Sequence, residues 1–243
     1  MTGPSYGVTA EFYDVLHATR YLESTRRILD RFLGTPAVGV IDVGAGTGLG
    51  TALLAERCRV PVYAVEPSAA MRAVLLSRLA GRPDVLSRVH VHTSRVEELK
   101  LIDAADFVLC LNTMGTLDAP ARAGALVSLR RALVPGGRMV VETPPSVLPT
   151  QTHRLPSWNL GDEVYGGSVI AVSPATTGPT RSAGDQTFTW RFEYQVTNGD
   201  ELVRSEHESF TGYVVADFEP ELASAGFEIT DRDQAIIVAS RPR

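Results

Sequence analysis

The stretch that decides the fold of this chain is Ile41-Asp42-Val43-Gly44-Ala45-Gly46-Thr47-Gly48. It closes a short apolar run, Val38 to Val43, and precedes an amphipathic stretch that ends near Arg59, so the pattern is strand, glycine loop and helix. Glycines at a strand-to-helix turn accept positive φ and let a ligand approach the backbone. The helix that begins near Leu49 also offers unpaired backbone N–H groups at its N-terminus.

A carboxylate follows the next strand. Val60 to Val65 is a second apolar run, and Glu66 comes 18 residues after Gly48 (66 − 48 = 18). An acid at the tip of the second strand can accept hydrogen bonds from both hydroxyls of a ribose. The loop and the acid together predict a cofactor that contains a nucleoside, and the alternative is a structural turn beside a solvated Glu66. Because Leu49 stands where G-x-G-x-x-G needs its third glycine, a nicotinamide oxidoreductase is disfavoured.

Strands and helices alternate through the first two thirds of the chain, which predicts a parallel sheet covered on both faces. The fold class is therefore α/β: a Rossmann-like, doubly wound, mainly parallel seven-stranded sheet, with an antiparallel β insertion after the fifth strand. Stretches 146–161 and 173–185 are rich in Pro, Thr, Ser and Gly and are predicted to be loops. We expect a single domain, 1–243, with a helical cap (1–36), a cofactor-binding core (37–145), the insertion or lid (146–215) and a return to the core sheet (216–243).

The insertion contains a predicted β-hairpin. Apolar residues alternate with polar ones from Phe188 to Val196, and Asn198-Gly199 then provides a strong hairpin turn signal. A two-residue turn at Asn198-Gly199 pairs Glu193 with Arg204, Arg191 with Glu206, and Trp190 with His207. This register predicts that His207 lies beside an aromatic face.

Composition limits the classes of function. The chain has 243 residues, of which 44% are hydrophobic, and a net charge of −5 with no basic run, so nucleic acid and anionic lipid are poor candidate partners. No apolar stretch reaches the ~20 residues that cross a bilayer. The start, Thr2-Gly3-Pro4-Ser5-Tyr6, lacks the features of a secretory signal, and we expect a cytoplasmic protein. Cys58 and Cys110 lie in no metal-ligand spacing, and no metal is predicted.

The spacing acid-x-G-x-G-x-G, from Asp42 to Gly48, resembles the first motif of the class I S-adenosylmethionine-dependent methyltransferases. Three further stretches look like later motifs of that family, in the right order: Val65 to Met71, Phe107 to Asn112, and Leu129 to Val141. The resemblance covers about residues 6–145 and the last strands. It implies S-adenosylmethionine as the cofactor and S-adenosylhomocysteine as the product.

The resemblance also implies roles for individual residues. Glu66 is expected to bind the ribose, Asp42 to lie close to the ammonium of the cofactor, and Met71 to pack on the adenine or to be plain core. The stretch that should supply an acid for the adenine amino group has Arg95 instead, which cannot accept that hydrogen bond. The implied cofactor-binding residues are Asp42, Gly44, Ala45, Gly46, Gly48, Glu66, Pro67, Met71, Ser94, Arg95, Leu111 and Asn112.

Methyl transfer needs alignment of the acceptor and exclusion of water more than it needs a nucleophilic side chain. Tyr13, in Glu11-Phe12-Tyr13-Asp14, looks like the Tyr-Asp of small-molecule N- and O-methyltransferases, and a core aromatic is the alternative. The insertion resembles that of enzymes acting on nucleotide-sugar amines and on small peptide amines. The candidate catalytic residues are Tyr13 and His207, and the candidate acceptor-binding residues are Tyr13, Asn112, Trp190, Phe192 and Tyr213.

The predicted function is methyl transfer to an amine of a small metabolite or short peptide, by a monomer or homodimer. The preference for nitrogen rests on the lack of a convincing base and on the resemblance of the insertion. Two alternatives stay open at this point. One is an O-methyltransferase with His207 as general base, and the other is a cofactor-binding protein that transfers no methyl group.

Overall fold

The computed structural model describes residues 6–150, 152–173 and 186–243, so the predicted N-terminal feature at 2–5 and most of the predicted loop 173–185 lie outside it. The helices are α1 (Thr9–Phe32), α2 (Leu49–Arg57), α3 (Ala69–Ala80), α4 (Pro83–Leu86), α5 (Ala119–Ala132) and α6 (Glu219–Ser224). The strands of the larger sheet are β1 (Val40–Val43), β2 (Val62–Val65), β3 (Val89–His92), β4 (Ala105–Cys110), β5 (Leu133–Glu142), β11 (Glu228–Asp233) and β12 (Ile236–Ser240). Those of the smaller sheet are β6 (His153–Arg154), β7 (Trp158–Leu160), β8 (Glu163–Val172), β9 (Gln186–Asn198) and β10 (Glu201–Val214).

The larger sheet has seven strands in the order β11-β12-β5-β4-β1-β2-β3. β1 to β5 are parallel, whereas β12 runs antiparallel to both β5 and β11. The predicted doubly wound, mainly parallel fold is thereby confirmed. All four residues of β1 are buried, which agrees with a strand covered on both faces.

Each face of this sheet has its own core. Side chains of α1, α2 and α3 pack with Val40, Leu109 and Val140 on one face. Side chains of α5 and α6 pack with Ile41, Val108 and Val141 on the other. Alternate residues of each strand therefore belong to opposite faces, as the pleat requires.

The smaller sheet is antiparallel and has the order β10-β9-β8-β6, with β7 also paired to β8. It lies between β5 and α6 in the chain, where the insertion was predicted. Two of its strands, β6 and β7, fall within 146–161, so the prediction of a loop over that whole stretch was wrong. Both strands are short and exposed, and their Pro- and Ser-containing surroundings mask the strand pattern.

The predicted register of the hairpin was also wrong. Glu201 pairs with Asn198, so the turn is Gly199-Asp200, and a bulge between Leu202 and Arg204 shifts the register further. The net shift is odd and exchanges the two faces of β10 relative to β9. Trp190 consequently faces Phe210, and His207 faces Glu193.

α1 joins the two sheets. Near its start, Phe12 stacks on Tyr194 of β9 with 4.5 Å between ring centroids. The Glu208 side chain of β10 accepts hydrogen bonds from the backbone N–H groups of Gly7 (3.1 Å) and Thr9 (2.8 Å), which satisfies otherwise unpaired donors at the helix start. Further along, Leu29 and Phe32 are buried against the larger sheet. The helix thus holds the smaller sheet against the larger one.

Candidate cofactor and acceptor site

At two glycines of the loop, a neighbouring side chain packs so closely on the backbone that a Cβ would not fit. Gly44 has φ +66°, and a Cβ there would lie 2.2 Å from Oγ1 of Thr113, which follows β4. Gly48, the N-cap of α2, has φ +83°, and its Cβ would lie 2.8 Å from Cγ of Leu75. Gly46 also has positive φ, and Ala45 is buried. Residue types with a side chain would be strained at Gly44 and Gly48.

Glu66 joins the tip of β2 to this loop. Its Oε2 accepts a hydrogen bond from the backbone N–H of Gly46 (2.8 Å), and its Oε1 accepts one from that of Ser68 (2.7 Å). The side chain is buried, and burial raises the pKa of the carboxyl despite the two N–H donors. Each oxygen can still accept another hydrogen bond, because a carboxylate oxygen has two lone pairs. Pro67, the next residue, is exposed.

Asp42 lies below the loop, at the carboxyl end of β1. It is buried and accepts a hydrogen bond of 2.6 Å from the hydroxyl of Thr51 on α2. Burial raises the pKa of Asp42 to about 7, the Thr51 hydroxyl opposes that rise, and the charge of Glu66 adds to it. A buried acid of this kind favours a cation that would let it ionise.

α1 is tied to the glycine loop by Asp14, the acid of the Tyr-Asp pair, to which the sequence analysis gave no role. Oδ1 of Asp14 accepts a hydrogen bond of 2.6 Å from the Thr47 hydroxyl, and Oδ2 pairs with Arg78 of α3. Nε of Arg78 also donates to the Thr47 carbonyl at 2.9 Å. These three residues, Asp14, Thr47 and Arg78, are called the α1 latch below.

Tyr13, His17 and Tyr21 follow one another at four-residue intervals along α1. Tyr13 stacks on His17 at 5.0 Å, and His17 meets the edge of Phe192 from β9 at 6.2 Å. Burial raises the pKa of Tyr13 and of Tyr21. Burial also lowers the pKa of His17, whose Nε2 is buried without a hydrogen-bond partner in the described part of the chain. The spacing of four is the sequence signal that identifies His17 and Tyr21 as neighbours of Tyr13.

The carboxyl ends of β4 and β5 form the other side of the site. Leu111 is buried, and Asn112 is exposed with φ +53°. The backbone N–H of Asn112 donates to Oε2 of Glu142 at 2.8 Å. The Thr113 hydroxyl has the carbonyls of Leu111 (3.0 Å) and Val43 (3.1 Å) within hydrogen-bond distance and shares its one proton between them, so it fixes this turn to the end of β1. Glu142 is a further residue that the sequence analysis missed.

The residues expected near the adenine lie after β2 and β3. Met71 is buried in the first turn of α3, where its N–H donates to the Ser68 hydroxyl. Ser94 and Arg95 come directly before a 3-10 turn, Val96–Glu98, and both are half-buried. Nε of Arg95 lies 2.7 Å from an oxygen of Glu97, so the arginine has an acidic neighbour of its own.

Two predicted residues lie on the wrong face of the smaller sheet. His207 is exposed, and its pairing with Glu193 puts it opposite the aromatic face. Tyr213 pairs with Thr187 and so shares the face of His207. Phe192, by contrast, lies on the inner face of the smaller sheet, which is the face that packs on α1, and it contacts His17. Trp190 lies on the same face and packs edge-on against Phe188, with 4.9 Å between the ring centroids. The odd register shift is the reason for both misplacements.

Two findings concern the described residues as a set. None of their helices combines the length and the apolar character needed to span a membrane. Within the same residues, His, Cys, Asp and Glu side chains form no group of three or more that could hold a metal ion.

Comparison with known proteins gives a family for the core. Residues 40–137 match the methyltransferase domain family. A probable histone-arginine methyltransferase from rice (Oryza sativa subsp. indica) is 37% identical over 106 residues, which are 43% of this chain. That alignment spans about a fifth of the rice protein, since it covers 20% of its length.

Solved structures share the fold over nearly the whole chain. An amino pentose methyltransferase of calicheamicin biosynthesis from Micromonospora echinaspora, determined with bound S-adenosylmethionine, has a TM-score of 0.69 at 20% identity and covers 92% of this chain and 90% of its own. A sugar N-methyltransferase from a Streptoalloteichus species has a TM-score of 0.67 at 21% identity, with 91% and 87% covered. DesVI from Streptomyces venezuelae has a TM-score of 0.73 at 17% identity, with 97% and 98% covered.

Proposed function

We propose that this protein, whose residues 40–137 match the methyltransferase domain family, transfers a methyl group from S-adenosylmethionine to an amine of a small metabolite or short peptide. The observation that carries the proposal is the Glu66 carboxylate, which lies at the tip of β2 and reaches the N–H of Gly46 in the glycine loop. Such a carboxylate beside a glycine loop is the arrangement that binds a nucleoside.

The residues of the site fit this cofactor. A Cβ at Gly46 would meet only the Gly44 carbonyl oxygen, at 3.8 Å, so a ligand can approach the loop there, and Glu66 has lone pairs available for ribose hydroxyls. Asp42, whose burial raises its pKa to about 7, favours a nearby cation, which the amino group of the cofactor provides. Bound S-adenosylmethionine supplies a methyl group that its positive sulfur has already activated.

The remaining work of the chain is to orient the acceptor and to exclude water. α1 closes over the loop through the α1 latch and brings Tyr13 and His17 towards the inner face of the smaller sheet. Asn112 and Glu142 lie at the carboxyl ends of the strands next to β1, where ligands of open α/β sheets bind. We assign the acceptor to the space between these elements.

The O-methyltransferase alternative with His207 as base is less well supported, because His207 is exposed on the outer face. We therefore expect His207→Ala to retain turnover and cofactor affinity. Loss of turnover with unchanged affinity would favour the alternative.

The test is to incubate the protein with S-adenosylmethionine and a panel of acceptors. The panel contains amino sugars, chosen because two solved structures of this fold are named as methyltransferases of amino or N-methylated sugars, together with short peptides and the matched hydroxyl compounds. We expect S-adenosylhomocysteine to accumulate with an amine, and mass spectrometry to show the gain of one methylene per transfer. Binding of the cofactor without product from any acceptor would favour the non-catalytic alternative.

A further inference from the structure

A carboxylate to which the proposed function gives no part in binding the cofactor lies at the end of β5. Glu142 pairs with Ile236 of β12, and Ile236 and Val140 both pack in the core beneath α1. Paired residues, and residues two apart on a strand, share a face of the sheet, so Glu142 points to the face that α1 covers. Tyr21 of α1 packs on the same core.

One carboxylate oxygen of Glu142 accepts a hydrogen bond from the chain, and the other can accept one from a ligand. The Asn112 N–H donates to Oε2 at 2.8 Å, and Asn112 adopts the left-handed conformation, φ +53°, that turns its N–H in this direction. Oε1 has no hydrogen-bond partner in the parts of the chain that the structure describes. The side chain is half-buried, so a ligand can still reach it. An oriented carboxylate with a free oxygen is a receptor for a hydrogen-bond donor.

Two phenols of α1 lie on the side of the sheet to which this carboxylate points. Tyr21 packs on the core that contains Val140 and Ile236, and the charge of Glu142 is among the causes that raise the pKa of Tyr13 and of Tyr21, so both phenols are within its electrostatic range. A carboxylate and aromatic faces together bind an ammonium ion, through charge-assisted hydrogen bonds and cation–π contact. A neutral hydroxyl gains much less from the same groups.

Glu142 is separate from the cofactor side of the site. The strand order is β5-β4-β1, and Asp42 on β1 lies two strands away from Glu142 on the same face. At ~4.8 Å per strand this separation is about 10 Å across the sheet. One carboxylate is therefore placed for the cation of the cofactor and another for a cation on the acceptor.

We propose that Glu142 binds the protonated amine of the acceptor and so makes the site select amines over hydroxyl compounds. The inference rests on the proposed function and adds the class of acceptor and the residue that recognises it. Glu142 is a positioning residue: it holds the ammonium form, which must release a proton to water before the nitrogen can react.

The test compares Glu142→Gln with wild type. Glutamine keeps an oxygen for the Asn112 N–H, so the variant is expected to fold. Glu201→Gln, at the exposed tip of the hairpin, removes the same charge as a control. The probes are matched pairs, glucosamine with glucose, cyclohexylamine with cyclohexanol and phenethylamine with phenethyl alcohol, titrated calorimetrically into protein saturated with S-adenosylhomocysteine.

We expect wild type and Glu201→Gln to bind at least one amine about tenfold or more tightly than its alcohol. Glu142→Gln should lose that preference and keep the affinity for S-adenosylhomocysteine. In turnover, KM for the amine should rise by a similar factor with little change in kcat.

Amine preference that survives in Glu142→Gln, or its absence in wild type, overturns the assignment of Glu142. If an amine is still methylated, neither result contradicts the proposed function. If the protein binds no S-adenosylhomocysteine, the proposed function itself fails, and the inference fails with it.

Discussion

A methyl group at position 44 would meet Oγ1 of Thr113 at 2.2 Å, whereas one at Gly199, in the hairpin turn, would meet nothing within 4 Å. Both glycines have φ near +60°. Gly44→Ala and Gly199→Ala should therefore share a conformational cost of about 1–2 kcal/mol, and only Gly44→Ala should add a collision. Urea unfolding of the two variants measures the difference. Equal losses in the free energy of unfolding of the two variants would show that Thr113 moves aside freely.

The pH dependence of stability tests the state of Asp42. Burial raises its pKa from 3.8 to about 7, so between these values the folded protein binds more protons than the unfolded chain. The free energy of unfolding should therefore fall as pH rises through this window. Wild type without cofactor should lose on the order of 3 kcal/mol more than Asp42→Asn between pH 5 and pH 8. Parallel profiles in denaturant titrations would contradict the raised pKa.

Glu66→Ala tests the cofactor site directly. Removal of a charge-assisted acceptor should weaken binding of S-adenosylmethionine by about 1–3 kcal/mol in calorimetric titration. Glu201→Ala, at an exposed position, should leave the affinity unchanged. An unaltered affinity in Glu66→Ala would remove this residue from the site.

Among single residues, the sequence predicted those that the geometry of the backbone requires. The glycines and the acid at the strand tip have spacings that a linear motif can carry. Glu142 has no such signal, and the Tyr-Asp pair gave Asp14 no role, because their partners, the Asn112 N–H and Thr47, are distant along the chain and meet them only through folding.

Among the elements, α1 is held in place by ion pairs that differ in their exposure to solvent. Asp14 and Arg78 of the α1 latch, which joins α1 to the glycine loop and α3, each have 28% of the side chain exposed. In the ion pair of Asp30 with Arg57, which joins α1 to α2, 66% of the Asp30 side chain is exposed. Exposed pairs contribute little. Asp14→Ala should therefore speed amide exchange in the first turns of α1, and Asp30→Ala should not. Equal exchange in both variants would show that the latch does not hold the helix.

The hairpin shows where sequence patterns stop being decisive for an element. Asn198-Gly199 correctly predicted that β9 and β10 are joined by a tight turn, and alternation correctly predicted β9 itself. The turn lies one residue further along, and the bulge at Leu202–Arg204 adds another shift. The opposite-charge pairs favoured the wrong register, since the observed register pairs Arg204 with Val196 and Arg191 with Ser209.

On the scale of the whole molecule, cofactor binding should stabilise every part that closes over the loop. At a cofactor concentration 100 times Kd, the free energy of unfolding should rise by about 2.7 kcal/mol. Hydrogen exchange should slow in the glycine loop and in α1, and the hairpin tip around Asp200 should exchange as before. Slowing confined to the loop would mean that α1 is not part of the site.

The seven-stranded core was predictable because most of its strands alternate with helices and its central strands, β1 and β4, are buried on both faces. The position of the smaller sheet was not, since it depends on side-chain contacts such as Phe12 with Tyr194 and the Glu208 cap on α1. Those contacts join residues about 180 to 200 positions apart.

The N–H of Val215 donates to the carbonyl of Pro145 at 2.9 Å, so the chain leaves the core and returns to it at a single point. A shorter or longer segment between these two residues would therefore leave the order of the seven strands unchanged. On the proposed function, exchange of this segment would alter one wall of the acceptor space and leave the cofactor site in place.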